Sequence, residues 1–124
     1  MSVAIASHAC RARLELLDEL AAAGIEATGD ARAFHPQPIG VLVGLPTLTG
    51  RLLNGARFVI PVTVVSGDPV QDEASIDRLY TLADEVADAT STPAYRPASF
   101  RSTSNAEPLP AVELAVTVTT EEVS

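Results

Sequence analysis

Three observations on the 124-residue chain predict an α+β fold in which two amphipathic helices pack on a largely antiparallel sheet. Residues 3–23 and 72–90 repeat apolar side chains at three- or four-residue steps, as a helix with one buried face requires. Residues 58–65 are a β-branched run, and residues 112–119 alternate apolar and polar side chains with the two-residue period of a half-buried strand. Segments carrying glycine and proline separate these stretches, and packing both helical stripes on one sheet is the economical way to bury them. The predicted order is α-β-β-α-β-β in a single domain, at a length that one core can serve.

The first helix rests on Val3, Ala6, Cys10, Leu14, Leu17 and Leu20/Ala21, with Ser2 as its N-cap. Gly24 followed by Ile25 supplies the stop, the glycine in the left-handed position and the isoleucine packing back on the last turn. Residues 26–38 read as a loop or short extended piece, broken by Gly29, Pro36 and Pro38. Residues 39–44 read as a short buried strand, in which Gly40 and Gly44 mark a bulge or a close backbone approach. Residues 45–56, with Pro46, Gly50 and an Asn54-Gly55 turn signal, read as a protruding arm or long hairpin loop. Leu48, Leu52 and Leu53 give that loop an unusual apolar load. They either meet a neighbouring molecule or cover the end of the domain's own core.

Residues 58–65 form the strongest strand. Phe58, Ile60, Val62 and Val64 share one face and Val59, Pro61, Thr63 and Val65 the other, so both faces are mainly apolar and both are expected to be covered. Pro61 lacks an N–H and belongs at an edge or bulge, so a central position would call for a second subunit over the second face. Asp68, Pro69 and Gln71 resemble a helix start. The second helix buries Ile76, Leu79/Tyr80, Ala83 and Val86/Ala87, leaving its acids on an outer face. A connector over 91–98, a strand over 99–103, a turn over 105–110 and the alternating strand complete the chain.

The charge is unevenly placed. Sixteen acidic residues face eight basic ones, a formal net charge of −8, and every basic residue is arginine. Without lysine there is no Schiff-base chemistry and no P-loop lysine, and the balance disfavours a basic nucleic-acid reader. Residues 1–65 are neutral, with five acids and five arginines, whereas residues 68–88 hold seven acids and only Arg78. The single Cys10 can form no internal disulfide and falls on the predicted core stripe, which makes it a buried structural cysteine. No basic leader precedes an apolar run, and no apolar stretch reaches the roughly 18 residues of a membrane span, so the chain reads as soluble and cytosolic.

Few residues could carry chemistry. His8 and Cys10 are two apart on a helix and point in different directions, and His35 sits in a loop before Pro36. The acids of the second helix are spread along a surface rather than gathered in a loop, which favours a solvated face over a metal site. The glycines never assume a phosphate-loop spacing, and no nucleophile elbow occurs. No catalytic, cofactor-binding or metal-ligating residue is therefore expected. Arg51, Arg57, Arg96 and Arg101 gain interest if the chain self-associates, since arginine is enriched at interfaces and a neighbour's acidic helix would complement it.

In layout and texture the chain resembles the tail terminator proteins of long-tailed bacteriophages of actinobacteria. The resembling features are the Ala/Leu helix ending Ala22-Ala23-Gly24-Ile25, the segment Pro38-Ile39-Gly40-Val41-Leu42-Val43-Gly44-Leu45-Pro46, the strand from Arg57 to Asp68, the helix Ile76-Asp77-Arg78-Leu79-Tyr80-Thr81-Leu82-Ala83-Asp84 and the last strand from Leu114 to Thr120. The resemblance covers nearly the whole chain. It implies a virion subunit without cofactor or enzymatic activity, assembled in the host cytoplasm and placed at the neck of the tail. Six copies would form a ring that caps the tube of major tail tube protein, ends its elongation and receives the head through a connector or stopper. DNA would pass through the ring without specific binding, and no membrane is involved. On this reading Leu48, Arg51, Leu52, Leu53, Arg57 and Pro61 contact a neighbour or the tube. Asp77, Asp84 and Asp88 form an acidic face turned toward either the lumen or the outer rim. Two alternatives remain: a connector, stopper or tail-completion protein, and a small cytosolic enzyme or ligand-binding domain with an intersubunit pocket around His35, Arg57 and Tyr80.

Overall fold

In the computed structural model the described residues are 7–30, 32, 34, 36, 38–68, 72–101 and 108–121. Two helices, α1 (His8–Ala22) and α2 (Glu73–Thr90), accompany five strands: β1 (Ile39–Val43), β2 (Thr47–Leu52), β3 (Gly55–Ser66), β4 (Arg96–Phe100) and β5 (Leu109–Glu121). The class is α+β with an antiparallel sheet, as predicted, but the order contains one strand more. The expected arm over residues 45–56 is largely strand β2, closed onto β3 by the two residues Leu53 and Asn54. Its alternation is hidden because Thr49 is an extra residue between the pairs Leu48↔Phe58 and Gly50↔Arg57, and its hydroxyl donates to the Arg57 carbonyl at 3.1 Å. Such a bulge erases a period-two pattern.

The sheet runs β1-β3-β5-β4, with β2 paired to β3 on the edge that β1 also uses. The β3–β5 ladder is continuous from Gly55↔Glu121 to Val65↔Ala111 and forms the spine of the molecule. Even-numbered residues of both strands face the helices: Phe58, Ile60, Val62 and Val64 from β3 lie beside Val118, Val116, Leu114 and Val112 from β5. Leu16 and Leu20 from α1 and Leu79, Ala83 and Val86 from α2 complete this core. Truncating one of these fully buried leucines to alanine typically costs about 2–5 kcal/mol.

Pro61 sits in the central strand, where a notch in the ladder accounts for its missing N–H. It pairs with Ala115 on one side, while its carbonyl accepts from the Gly44 N–H at 2.8 Å on the other. In a strand the N–H and C=O of one residue point to the same edge. The missing N–H therefore points into the notch where β1 ends at Val43 and β2 has not begun. Gly44 fits there because a Cβ would lie 2.7 Å from the Pro61 ring. Arg13 from α1 closes the same corner, donating from Nε to the Gly44 carbonyl at 3.2 Å and from Nη2 to the Gly29 carbonyl at 2.7 Å.

The first helix differs from its predicted phase. Its N-cap is Ser7, whose hydroxyl accepts from the Cys10 N–H, rather than Ser2, and residues 1–6 lie outside the described set. The buried row is Ala12, Leu16 and Leu20, whereas Leu14 and Cys10 are exposed. Alanine on every side makes two phases of the stripe nearly equivalent. Tertiary hydrogen bonds to His8 and Arg13 draw the polar side toward the sheet. The predicted stop holds: Gly24 has φ +80°, and the Ile25 N–H reaches the Leu20 carbonyl at 2.9 Å while the Gly24 N–H reaches Ala21 at 3.0 Å, the double bond of a Schellman motif.

The remaining boundaries shift modestly. The second helix is capped by Asp72, whose carboxylate accepts from the Ser75 N–H at 2.8 Å, not by Asp68, and residues 69–71 lie outside the described set. Strand β4 begins three residues earlier than expected. On the sheet face away from the helices, one end is covered by Phe34, which meets Phe100 edge-on at 5.3 Å and joins Val65, Leu109 and Ala111. Gly40 admits this ring, since a Cβ there would come within 2.7 Å of it. The rest of that face, with Ala115, Thr117, Thr119 and Arg57, stays open.

Candidate functional site

Two surfaces at opposite corners of the sheet hold nearly all the residues singled out in the sequence. The first is the β2–β3 hairpin. Its turn places Leu53 96% exposed, with Leu45 at 77%, Leu48 at 44% and Leu52 at 39%. Leu53 and Leu45 therefore do not cover the domain's own core, while Leu48 and Leu52 are more than half buried. Pairing sets their directions: Leu48 and Arg51 lie beside Phe58 and Ala56 on the helix side of the sheet, and Leu52 lies beside Gly55 on the open side with Arg57. Arg51 and Arg57 are both exposed, and neither makes an ion pair among the described residues, where the pairs are Arg32–Asp30 and Arg96–Glu113. Pro61 lies apart from this group, half-buried at the notch.

The second surface is the flank of α2 that faces β4. Ile76, Tyr80, Asp84 and Asp88 recur at four-residue steps and so form one ridge along the helix. Ile76 is 39% exposed and opens a groove of about 280 Å³ between Tyr80 on the helix and Pro97, Ser99 and Pro110 on β4 and β5. Tyr95 continues the ridge. Its ring lies 5.9 Å from that of Tyr80, and its hydroxyl donates to Asp84 Oδ1 at 2.5 Å. That hydrogen bond to a carboxylate raises the Tyr95 pKa above 10.0, with desolvation and the Asp84 charge adding to it. At the other end of the helix, the Ser75 N–H and then the Ser75 side chain lower the pKa of the capping Asp72. Asp77, Asp84 and Asp88 are all exposed, as the acidic-face reading expects. Their grouping with Tyr95 was not expected, because an aromatic between Pro93 and Pro97 had been read only as connector.

Among the described residues, His8 and Cys10 do not assemble a reactive site. His8 Nδ1 lies 3.0 Å from the Thr120 hydroxyl and accepts from Arg11 Nη2 at 2.7 Å. These contacts pin the start of α1 to the end of β5, and Thr120 Oγ1 in turn donates to the Ala56 carbonyl at 3.4 Å. Cys10 is exposed rather than buried, as its position one step off the true stripe requires. His35 lies outside the described residues. Arg57 and Tyr80 lie on opposite faces of the sheet, so within one chain they line no common pocket. A cleft of about 620 Å³ between the end of α1 and β1 is lined by Leu17, Ile25, Phe34, Ile39 and Val41, with Glu26 as its one titratable side chain among the described residues. Among the described residues no three His, Cys, Asp or Glu side chains converge as metal ligands, and no helix is long and apolar enough to cross a membrane. Compared with known proteins, the chain matches no protein-family model and no curated protein sequence.

Proposed function

We propose that the chain is a structural subunit that associates with copies of itself in a hexameric ring and caps the tail tube of a long-tailed bacteriophage, as a tail terminator. The observation that carries this reading is the β2–β3 hairpin. Leu53 is almost wholly exposed at the tip, with Leu48 and Leu52 part-exposed on the two faces beside it, and exposed apolar side chains gathered on one hairpin mark a protein–protein contact. The α+β layout, the resemblance described above and the acidic flank of α2 are consistent with the same role. Ending tube growth and receiving a connector require shape and adhesive surfaces rather than a reaction centre.

The test is to image the purified protein by negative stain, alone and with tubes assembled from a major tail tube protein. Six-fold rings, or caps at one end of tubes that then stop growing, support the proposal. A monomer that neither self-associates nor binds tube ends overturns it. Binding to filled heads in place of tubes would reassign the protein as a connector or stopper.

A further inference from the structure

The two candidate surfaces complement one another. Residues 45–57 contain two arginines and no acid, whereas residues 73–88 contain five acids and one arginine. One surface ends in a projecting leucine; the other holds an apolar groove that runs into acids along the ridge Ile76, Tyr80, Asp84, Asp88. They cannot meet within one molecule. The hairpin belongs to the β1/β2 edge at the end of β5 marked by Glu121, and the groove belongs to the β4 edge at the end marked by Leu109. Over the 13 residues of β5, that is a separation of roughly 40 Å.

We propose that the hairpin of one copy docks on the α2–β4 flank of the next copy, with Leu53 entering the groove beside Ile76 and Pro97 and with Arg51, on the helix-side face of the hairpin, facing Asp84. The partner is a second copy of this chain. Donor and acceptor are different patches at opposite corners; engaged with different neighbours they make a head-to-tail contact, which repeats until it closes a ring or runs on as a filament. A two-fold dimer would instead exchange both hairpins between the same two copies and stop there. The inference rests on the ring reading above and adds which surfaces make each subunit contact. Arg51 sets register and encounter, and the leucine supplies most of the apolar burial.

Cysteines at both surfaces test this directly. In a Cys10→Ser background, Leu53→Cys and Ile76→Cys are introduced singly and together, and a short thiol-to-thiol crosslinker is applied to the protein alone and at tube ends. The double variant is expected to give a ladder of covalent multimers, and each single variant none. Rings without a ladder overturn the docking assignment while leaving the ring intact. Dimers from Leu53→Cys alone overturn it as well, because they show tip meeting tip. Absence of self-association in both settings overturns the ring reading together with the docking. As an independent measure, Arg51→Glu should raise the concentration for half-assembly about fivefold, one surface ion pair lost and a like-charge contact put in its place. Asp84→Arg in the same chain should restore it, and failure to restore counts against the pairing.

Discussion

Leu53→Ser separates a leucine that serves assembly from one that serves the fold. The side chain is 96% exposed, so its removal leaves the folded monomer nearly unchanged, within about 0.5 kcal/mol. In an assembled ring the same side chain would become buried, and full burial of a leucine contributes about 2 kcal/mol. Each contact should therefore weaken about 30-fold, and a closed ring contains that loss at every contact. Leu16→Ala is the reference, because Leu16 is fully buried and its truncation should cost about 2–5 kcal/mol without touching the hairpin. Thermal melting and sedimentation velocity, run on both variants, give the comparison. Leu53→Ser should melt like the wild type and fail to assemble, while Leu16→Ala should melt earlier. If Leu53→Ser melted as early as Leu16→Ala, or assembled at wild-type concentration, the interface role of the hairpin would be refuted. Point substitution is the right perturbation, since deleting residues 47–54 would remove strand β2 and strip one edge of β3.

Three further predictions concern the fold and its titrations. Gly44→Ala places a Cβ 2.7 Å from the Pro61 ring and 3.1 Å from its carbonyl oxygen, and should cost about 1–3 kcal/mol in urea unfolding; an unchanged midpoint would mean the notch yields easily. Asp72 has a lowered pKa in the fold, so its stabilising contribution is complete above the ordinary value of 3.8 and is lost as pH falls through the lowered one. Asp72→Asn should remove that part of the acid sensitivity, seen by comparing unfolding midpoints of the two proteins at acid and neutral pH. Tyr95 has a raised pKa, so the Asp84 contact stabilises the fold below pH 10.0 and is lost as pH rises through the raised value. Phenolate absorbance should show Tyr95 ionising late in the wild type and nearer 10.0 in Asp84→Asn.

The sheet and helices were legible where side-chain periodicity was uninterrupted. The spine strands showed themselves because Phe58 to Val64 and Val112 to Val118 keep their phase along the whole ladder. Strand β2 did not, because Thr49 inserts an extra residue and Gly50 removes a side chain from the pattern. The phase of α1 was ambiguous for a different reason: His8 and Arg13 are polar yet turned toward the sheet, satisfied by Thr120 and by the Gly44 and Gly29 carbonyls. Partners more than 15 residues away leave no local trace. Pro61 pointed to an edge in the sequence and has one in the fold, a gap at Ile60 and Pro61 on one side of an otherwise central strand. At the candidate site the exposed leucines and the acids of α2 could be read directly. Tyr95 could not, since its place beside Tyr80 and Asp84 follows from how β4 returns along the helix.

The unbroken β3–β5 ladder has a mechanical consequence for any assembly built through the hairpin. The tip is carried by main-chain hydrogen bonds that continue into the core, so it is already ordered before a neighbour arrives. Association then loses less conformational entropy than it would with a floppy arm. The same stiffness makes the tip a lever. Over roughly 40 Å, a change of about 5° in strand twist would displace Leu53 by about 3 Å, enough to miss its groove. The number of copies that close a circle would thus be set by the curvature of each subunit's own sheet.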